Sequence, residues 1–190
     1  MCIPARFTLE ACIKGADSLA NVFVITGTQK FPFNRLIQSV DQLAEPGHIL
    51  ENAEITAQSG TATVRTRHTH CIPFLSPEEM SGYINAADLV ITHGGTGAIM
   101  ESLQAAKPVI AVARLSKYGE HVDDHQVEIV NKFTKENYVI GLHETNDLER
   151  AVKKGLMFTP AKWKRGNSGL LPAIDHAIED SILCARCRKS

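Results

Sequence analysis

The sequence predicts an α/β domain built on a doubly wound, mostly parallel sheet of the Rossmann type. Short apolar runs rich in β-branched residues, such as Leu89 to Ile91, alternate with segments of helical character. Runs that lack polar alternation are typical of strands that helices cover on both faces. A turn containing glycine follows the runs at Ile25 and at Ile91, so a strand–turn–helix unit occurs at least twice. This order predicts one parallel sheet with helices on both sides.

Size and composition favour one cytoplasmic domain. The chain has 190 residues, a formal net charge of −1 and 44% hydrophobic residues, enough for a substantial core. Charged residues are spread along the chain and aromatic residues are few, so no nucleic-acid surface is expected. No apolar run approaches the roughly 18 residues of a membrane span, and the first twenty residues lack a signal-peptide core. The five cysteines are irregularly spaced, which favours reduced thiols.

Three segments are expected along the chain. Residues 1–21 form an N-terminal extension without an assigned role, residues 22–159 form the domain, and residues 160–190 form a C-terminal helical tail. Trp163 stands among basic residues, and we expect the tail to pack across the domain rather than bind a membrane or partner. Cys184 and Cys187 have the spacing of zinc ligands, but they have no second pair and lie near the chain end, so no site is assigned to them.

The strands are predicted from apolar runs of strand length that are bounded by turn residues. In the predicted strand His68–Ile72, His68 and His70 alternate with Thr69 and so lie on the same face. Exposed strand residues are favoured over a metal pair there, because no third ligand is near. The predicted strands are Val22–Ile25, Glu54–Ser59, His68–Ile72, Leu89–Ile91, Val109–Ala113 and Tyr138–Ile140.

The helices are predicted from capping residues and helical spacing. Ser76 is a suitable N-cap, with Pro77 at the first helical position and Glu79 closing a capping box. Proline follows two other predicted helices and ends them. The remaining predicted helices are Asn34–Leu43, Ala98–Ala106, a segment through Val127 and Phe133, and one that begins near Asn146 and continues through Val152.

The stretch from Asp88 to Pro108 carries the first functional signal. The segment His93–Gly97, here called the glycine turn, joins a buried strand to a helix. Such a turn leaves backbone N–H groups at a helix N-terminus, where a phosphate can bind. Glu101 follows one helical turn later and could accept hydrogen bonds from ribose hydroxyls. The alternative is a tight turn that binds nothing.

Two common nucleotide motifs are excluded by spacing. A P-loop requires Gly-Lys-Ser/Thr at its end, and the dinucleotide fingerprint requires a small residue where Met100 stands. Neither an ATPase nor an NAD-dependent enzyme is favoured.

Residues 120–126, here called the His–Asp segment, carry the second signal. His121 and His125 are four residues apart, but the HExxH order is absent and Asp123 and Asp124 replace the expected base. A metal site, a solvated helix start and a sugar site all remain open. Hydrogen bonding to sugar hydroxyls fits best, because carboxylate and amide groups offer complementary acceptors and donors. No metal and no cofactor are therefore expected.

Ligands of doubly wound sheets bind at the carboxyl ends of the strands. This rule places four segments on one edge of the sheet, here called the rim. They are the turn Thr26–Gln29, the loop after Ile72, the glycine turn and the loop after Ala113.

Taken in order, these motifs resemble the C-terminal, donor-binding domain of glycosyltransferase family 28. Within that family the chain is similar to the small catalytic subunits of two-protein transferases for capsular and exopolysaccharide synthesis, which are relatives of the dolichol-pathway N-acetylglucosaminyltransferase subunit. The likeness covers about residues 22–152, and both ends depart from it. It rests on Thr26–Gln29, Phe74–Ser76, the glycine turn with Glu101, and Gly119–Gln126.

The resemblance implies one half of a GT-B glycosyltransferase that binds a UDP-sugar. It assigns the backbone of Phe74 and Leu75 to uracil and Glu101 to the ribose. Asp124, His125 and Gln126 would hold the donor sugar. The residues expected to bind the UDP-sugar are Gly27, Thr28, Gln29, Phe74, Leu75, His93, Gly94, Gly95, Thr96, Gly97, Glu101, Glu120, His121, Asp124, His125 and Gln126.

The resemblance also implies a partner. The acceptor of such enzymes lies in the other half of the fold, so a membrane-associated subunit should supply it, with a lipid-linked saccharide as acceptor. The chain would then work in the cytoplasm, at the inner face of the membrane. We expect transfer of a hexose, whether glucose, galactose, glucuronic acid or N-acetylglucosamine.

The catalytic base stays unassigned at this point. His93, His121 and Asp123 are candidates, and none of them is compelling from the sequence. One alternative to the enzyme is a subunit that binds or activates a UDP-sugar without catalysis. Another is a metal hydrolase that uses His121, Asp123 and His125.

Overall fold

The computed structural model describes residues 20–163, and these residues contain a parallel sheet of six strands. The strand order across the sheet is β3-β2-β1-β4-β5-β6, and every neighbouring pair is parallel. The predicted α/β doubly wound fold is therefore confirmed. The strands are β1 (Asn21–Ile25), β2 (Glu54–Gln58), β3 (Thr69–Ile72), β4 (Leu89–His93), β5 (Val109–Val112) and β6 (Ile140–Leu142).

The described residues contain five α-helices, four between strands and one after β6, and one of them shows the predicted capping box. The N–H of Glu79 donates to Ser76 Oγ at 3.2 Å, and the N–H of Ser76 donates to the Glu79 carboxylate at 2.8 Å. Two N–H groups at this helix start are thereby satisfied. The helices are α1 (Asn34–Leu43), α2 (Pro77–Ala86), α3 (Thr96–Gln104), α4 (His125–Lys135) and α5 (Leu148–Gly155).

Helices cover both faces of the sheet, as the apolar strands require. Alternate strand residues point to opposite faces, so Val22 and Val24 pack with α1 and α5, whereas Phe23 and Ile25 pack against α2. The helices α3 and α4 pack on the same face as α2, over β5. The sheet is thus the middle of three layers, and side chains on both of its faces are buried.

Two predicted elements are displaced by two residues at each end. The last strand begins at Ile140 rather than Tyr138, because Tyr138 and Val139 are buried against the α3 and α4 side of the core without joining the ladder. The helix α3 begins at Thr96 and ends at Gln104, two residues earlier at each end than predicted. The chain leaves α3 through Ala106, whose φ of 55° is incompatible with a continuing helix.

The start of the predicted C-terminal tail packs on the domain. The ring of Trp163 lies 5.1 Å from Tyr138 and 6.0 Å from Phe133, measured between ring centroids. Of the predicted extension at residues 1–21, Asn21 belongs to β1, so that boundary was one residue too late. Residues 1–19 and the remainder of the tail from residue 164 lie outside the described residues. Within residues 20–163, no helix has the length and apolar character needed to span a bilayer.

The strand order creates a crevice at the rim. The chain leaves β1 toward α1 on one face and leaves β4 toward α3 on the opposite face, yet β1 and β4 are neighbours. Loops that diverge from adjacent strands in this way open a crevice at their carboxyl ends, which is where doubly wound sheets bind ligands. The glycine turn lies on one wall of this crevice.

Candidate functional site

The side chain of Gln58 ties two of the rim loops together. Its Oε1 accepts a hydrogen bond from the N–H of Gly27 at 3.0 Å, and its Nε2 donates to the carbonyls of Gly27 and Pro73 at 3.2 and 2.9 Å. Gln58 is buried, so these bonds are shielded from water. The turn after β1 is thereby fixed to the loop that carries Phe74 and Leu75.

The imidazole of His93 fills the space between the turn after β1 and the glycine turn. A Cβ atom added to Gly27 would lie 2.7 Å from this ring, and one added to Gly95 would lie 2.2 Å from His93 Nε2. Gly27 also has a φ of +85°, which favours glycine for a second reason. These two glycines are therefore required by the close approach of the ring.

His93 is uncharged at neutral pH. Burial and, to a smaller extent, the positive charge of Arg114 lower its pKa to about 4, although a hydrogen bond with the Ile25 backbone opposes the change. The ring is partly exposed by surface area, but protein atoms enclose it on most sides. Binding of an anion at the glycine turn would therefore depend on backbone N–H groups and not on a charged imidazole.

The start of α3 leaves its first backbone donors without a side-chain cap. Gly95 is the N-cap residue and offers no side chain, and a Cβ added to Gly97 would meet nothing within 4 Å. The first N–H groups of a helix have no partner within the helix and lie at the positive end of its dipole. Glu101 is half-buried farther along the same helix. This geometry suits a phosphate close to the turn.

The glycine turn contacts the His–Asp segment directly. A Cβ atom added to Gly94 would lie 2.9 Å from Gln126 Cβ and 3.0 Å from Val130 Cγ2. Gly94 therefore lets α4 approach the end of β4 closely. The two segments that carry the functional signals form one continuous surface.

Charged hydrogen bonds hold the His–Asp segment in place. Glu120 is buried, and its two carboxylate oxygens accept hydrogen bonds from Arg35 Nε and Nη2 at 2.9 and 2.8 Å, while Oε2 also accepts from the N–H of Leu115. Asp124 Oδ1 accepts from the N–H of Ser116 at 2.7 Å. The bidentate pair fixes both the position and the plane of the carboxylate.

Arg114 links the loop after β1 to the loop after β5. Its guanidinium donates to the carbonyls of Thr26, Phe31 and Glu120 at 2.6, 2.7 and 2.9 Å, and its backbone N–H donates to Gln126 Oε1 at 3.2 Å. The side chain is 1% exposed. Burial lowers the pKa of Arg114 to about 10, an effect that the negative charge of Glu120 opposes, so the group stays cationic at neutral pH.

Asp123 joins His121 and His125 within the segment. Asp123 Oδ1 lies 3.2 Å from His121 Nδ1 and makes a closer contact with His125 Nδ1. Burial acts to raise the pKa of Asp123, but hydrogen bonds from His125 outweigh it and hold the pKa below its usual value. Burial and the neighbouring charge of His125 lower the pKa of His121. The cluster therefore presents one carboxylate between two imidazoles.

Comparison with protein families decides the classification. The sequence model of the glycosyltransferase family 28 C-terminal domain matches residues 21–169. The chain belongs to this family. The resemblance predicted from the rim motifs is confirmed at this level.

A curated relative supports the same placement of this family 28 chain. The UDP-N-acetylglucosamine transferase subunit ALG13 of Candida albicans is 30% identical over 127 residues, which is 62% of this chain and 42% of the relative. The chain spans about half the length of the curated relatives it matches, since two others are covered to 48% and 42%.

Solved structures share the fold of the chain. An NMR structure of ALG13 has a TM-score of 0.54 at 20% identity and covers 79% of this chain and 92% of that one. The calicheamicin glycosyltransferase CalG4 has a TM-score of 0.53 at 14% identity, with 87% of this chain aligned to 40% of the larger protein. These likenesses confirm the Rossmann-like half of a GT-B glycosyltransferase fold.

The structure brings part of the predicted site into direct contact and places the rest along the rim. Gly27, His93, Gly94, Gly95 and Gln126 are joined by the packing described above. A second group lies on rim loops or helix starts and is at least partly exposed: Thr28, Gln29, Phe74, Leu75, Thr96, Gly97, Glu101, His121, Asp124 and His125. Glu120 differs from these, because its buried carboxylate is occupied by Arg35 and supports the loop from below.

Three residues that build the site were missed from the sequence. Gln58, Arg35 and Arg114 make its longest-range connections, and none belongs to a recognisable motif. A usable signal existed for two of them: Gln58 and Arg114 are polar residues directly at the carboxyl ends of buried apolar strands. Arg35 lies within an ordinary amphipathic helix and gave no signal.

Proposed function

We propose that the chain is the catalytic, donor-binding subunit of a glycosyltransferase that transfers a hexose from a UDP-sugar to a lipid-linked acceptor. The observation that carries this proposal is the contact between Gly94 and Gln126, which places the glycine turn beside the His–Asp segment. A diphosphate at the turn would then have its attached sugar at the start of α4. Membership of family 28 supports the donor class.

The chemistry of the rim is suited to a departing nucleoside diphosphate. Negative charge develops on the diphosphate as the glycosidic bond breaks, and fixed N–H donors stabilise such charge without a reorganisation cost. The uncapped start of α3 supplies donors of this kind. Glu101 would accept hydrogen bonds from the ribose, and the backbone near Phe74 would meet the uracil.

We infer that a membrane-associated partner supplies the acceptor. The relatives are named as subunits of a UDP-N-acetylglucosamine transferase, which supports a heteromeric enzyme and makes N-acetylglucosamine the first donor to test. The partner would bind a lipid-linked saccharide at the inner face of the membrane, with this chain on the cytoplasmic side. Capsular or exopolysaccharide synthesis is the pathway class that we propose for the product.

Thermal melting with and without millimolar UDP tests the nucleotide site. A ligand at about 100 times its Kd adds about 2.7 kcal/mol, which corresponds to a Tm increase of roughly 5–11 °C at about 2–4 °C per kcal/mol. We expect this increase in the wild type, its loss in Glu101→Ala, and its retention in the control Glu128→Ala, which removes an exposed glutamate from α4.

Turnover separates the enzyme from the alternative, a subunit that binds UDP-sugar without catalysis. Radiolabelled UDP-N-acetylglucosamine would be incubated with the chain, candidate partners and membranes containing lipid-linked acceptors. Incorporation that depends on both proteins supports the proposal. If the chain binds UDP and also binds its partner, but the pair never incorporates label, the result would support the alternative. If no uridine nucleotide stabilises the chain, the result would contradict both.

A further inference from the structure

The cluster at the start of α4 suggests an additional ligand. We propose that His121, Asp123 and His125 form a binding site for a divalent transition metal, with Zn²⁺ as the preferred ion. This inference goes beyond the proposed glycosyl transfer, which uses no metal, and it gives His121 and His125 a role other than the UDP-sugar contact that the resemblance implies. It also departs from the sequence-based expectation that the chain has no metal site.

The distances within the cluster fit a small ion. One donor atom from each residue can be chosen so that all three lie within 4.8 Å of one another. Zinc bonds of about 2.0–2.2 Å in a tetrahedron place neighbouring donor atoms about 3.3 Å apart. His121 Nδ1 and Asp123 Oδ1 are 3.2 Å apart, so this edge of the tetrahedron is already present.

The remaining ligand requires a small movement. His125 Nδ1 lies closer to Asp123 Oδ1 than two ligands of one ion would lie, so its ring must move away from the carboxylate for both groups to bind one ion. The side chain of His125 is 22% exposed, and its ring stacks edge-on against only one other imidazole, that of His121 at 4.6 Å.

The type of ligands selects the class of metal. Imidazole nitrogen suits zinc, copper, nickel and iron, whereas magnesium and calcium prefer oxygen ligands. Two histidines and one carboxylate form a three-ligand set of the kind that leaves a fourth position open for water or another ligand. The site would therefore bind a transition metal and leave one coordination position open.

The surrounding network holds the three ligands together before a metal binds. Asp124 is anchored by the N–H of Ser116, and Glu120 is anchored by Arg35, so both ends of the three-ligand loop are fixed. The N–H of His125 also donates to Asp123 Oδ1 at 3.1 Å, which orients the carboxylate inward. Partners that fix the ligands in this way raise metal affinity.

One nearby charge opposes a cation. Arg114 is buried close enough to lower the pKa of His121, and it would also repel a bound metal. The same segment carries three carboxylates, those of Glu120, Asp123 and Asp124. They outnumber the two buried or half-buried arginines that contact the segment, Arg35 and Arg114. The local balance of charge therefore still favours a cation.

Titration of the full-length protein with Zn²⁺ and Co²⁺ tests the site. Zinc affinity would be measured by competition with a chromophoric chelator, and cobalt binding by its visible absorption bands. Cys184 and Cys187 could also bind zinc, so the measurement uses a Cys184→Ser/Cys187→Ser background. We expect one ion per chain in that background, without the near-ultraviolet charge-transfer band that thiolate ligands give with cobalt.

Ligand variants then assign the site. Asp123→Asn and His125→Gln should each weaken zinc binding by about 100-fold or more, because loss of even a group that orients a ligand costs about 10–100-fold. The matched control is His70→Ala, which removes an exposed histidine from β3 and should leave the affinity unchanged. Circular dichroism and the Tm of each variant show that the fold is retained.

Three results would overturn the proposal. Zinc binding could disappear with the two cysteines, it could survive both Asp123→Asn and His125→Gln in folded protein, or His70→Ala could weaken it as much as the ligand variants do. The two ligand variants are near-isosteric, so a folding failure of a larger truncation such as His121→Ala would not remove the test.

Discussion

The glycine turn and the His–Asp segment lie side by side on the rim, but different forces hold them. The glycine turn is positioned by close packing, since the ring of His93 leaves no room for a Cβ on Gly27 or Gly95. The His–Asp segment is positioned by charge-assisted hydrogen bonds to Arg35 and Arg114. Gly95 in the first region cannot accept an added Cβ without displacing the ring of His93, and Glu120 in the second cannot be removed without leaving hydrogen-bond donors unpaired.

This difference predicts opposite sensitivities to mutation. Substitutions that add volume should disturb the glycine turn, whereas substitutions that remove a charge should disturb the His–Asp segment. For each region, a residue of the same type in a permissive environment supplies a control. Three substitutions test this difference, and their expected effects on stability decrease in the order Glu120→Ala, His93→Gln, Gly95→Ala.

The largest effect is expected from Glu120→Ala. The substitution leaves the Arg35 guanidinium without its bidentate partner and the N–H of Leu115 without an acceptor. Removing one member of a buried ion pair costs about 3–5 kcal/mol, and the exposed carboxylate of Glu144, 3.5 Å from Arg35, compensates for little of that loss. Urea denaturation followed by circular dichroism measures the change in the free energy of unfolding.

The control for this experiment is Glu144→Ala. Glu144 also pairs with Arg35, at 3.5 Å, but its side chain is 39% exposed against 3% for Glu120. Exposed ion pairs contribute about 0–1 kcal/mol, so this variant should be nearly as stable as the wild type. Equal losses in the two variants would show that burial is not what distinguishes the two carboxylates.

A second effect depends on pH and on His93. The unfolded chain binds a proton at this histidine near its usual pKa of about 6.5, whereas the folded protein does so only near a pKa of about 4. As the pH falls from 7 through this window, the unfolded state takes up a proton that the folded state does not. Stability is therefore lost between about pH 6.5 and pH 4, by about 2–3 kcal/mol at pH 4.5.

The comparison of wild type with His93→Gln isolates this effect. Other histidines and carboxylates also titrate in the same window, so the informative quantity is the difference between pH 7 and pH 4.5 in each protein. The wild type should lose about 2–3 kcal/mol more than the variant over this interval. Parallel stability curves for the two proteins would show that His93 keeps an ordinary pKa in the folded state.

The smallest of the three effects is expected from Gly95→Ala. Its new Cβ would lie 2.2 Å from His93 Nε2, and the ring cannot retreat freely because Gly27 contacts it as well. Forced packing of this kind costs about 1–3 kcal/mol. Thermal or urea unfolding gives the loss, and the increase in Tm caused by UDP should fall with it.

Gly97→Ala is the matched control two residues away. A Cβ at Gly97 meets nothing within 4 Å, and alanine is favoured over glycine inside a helix by up to about 1 kcal/mol. The control should therefore be as stable as the wild type or slightly more stable. A Gly97→Ala protein that is destabilised as much as Gly95→Ala would mean that both glycines serve a purpose other than packing.

Local signals explain which features could be predicted from the sequence. The capping box of α2 involves residues three apart, and the strand runs are continuous, so both can be recognised without knowledge of the fold. The start of β6 could not be placed, because Tyr138 and Val139 are as apolar as a strand although they only fill the core. Burial alone does not reveal which backbone groups join a ladder.

The supporting network of the site lay beyond such signals. Arg35 is 85 residues from Glu120, and Arg114 is 88 residues from Thr26, so these contacts exist only once the sheet has formed. The rim itself was predicted, because the rule for parallel sheets specifies where loops meet. The side chains that hold those loops are determined by distances in the folded structure. These distances cannot be read from the spacing of residues along the chain.

The central position of β1 has a consequence for synthesis of the protein on the ribosome. β1 is the first strand of the sheet along the chain, and one of its two neighbours, β4, lies far ahead: the hydrogen bond between Asn21 and Asp88 spans 67 residues. At about 5–20 residues per second, a ribosome needs roughly 3–13 seconds to synthesise that interval. During this time one edge of an apolar strand stays open, and open edges can pair with other chains. We therefore expect the nascent chain to need protection by a chaperone until β4 has emerged.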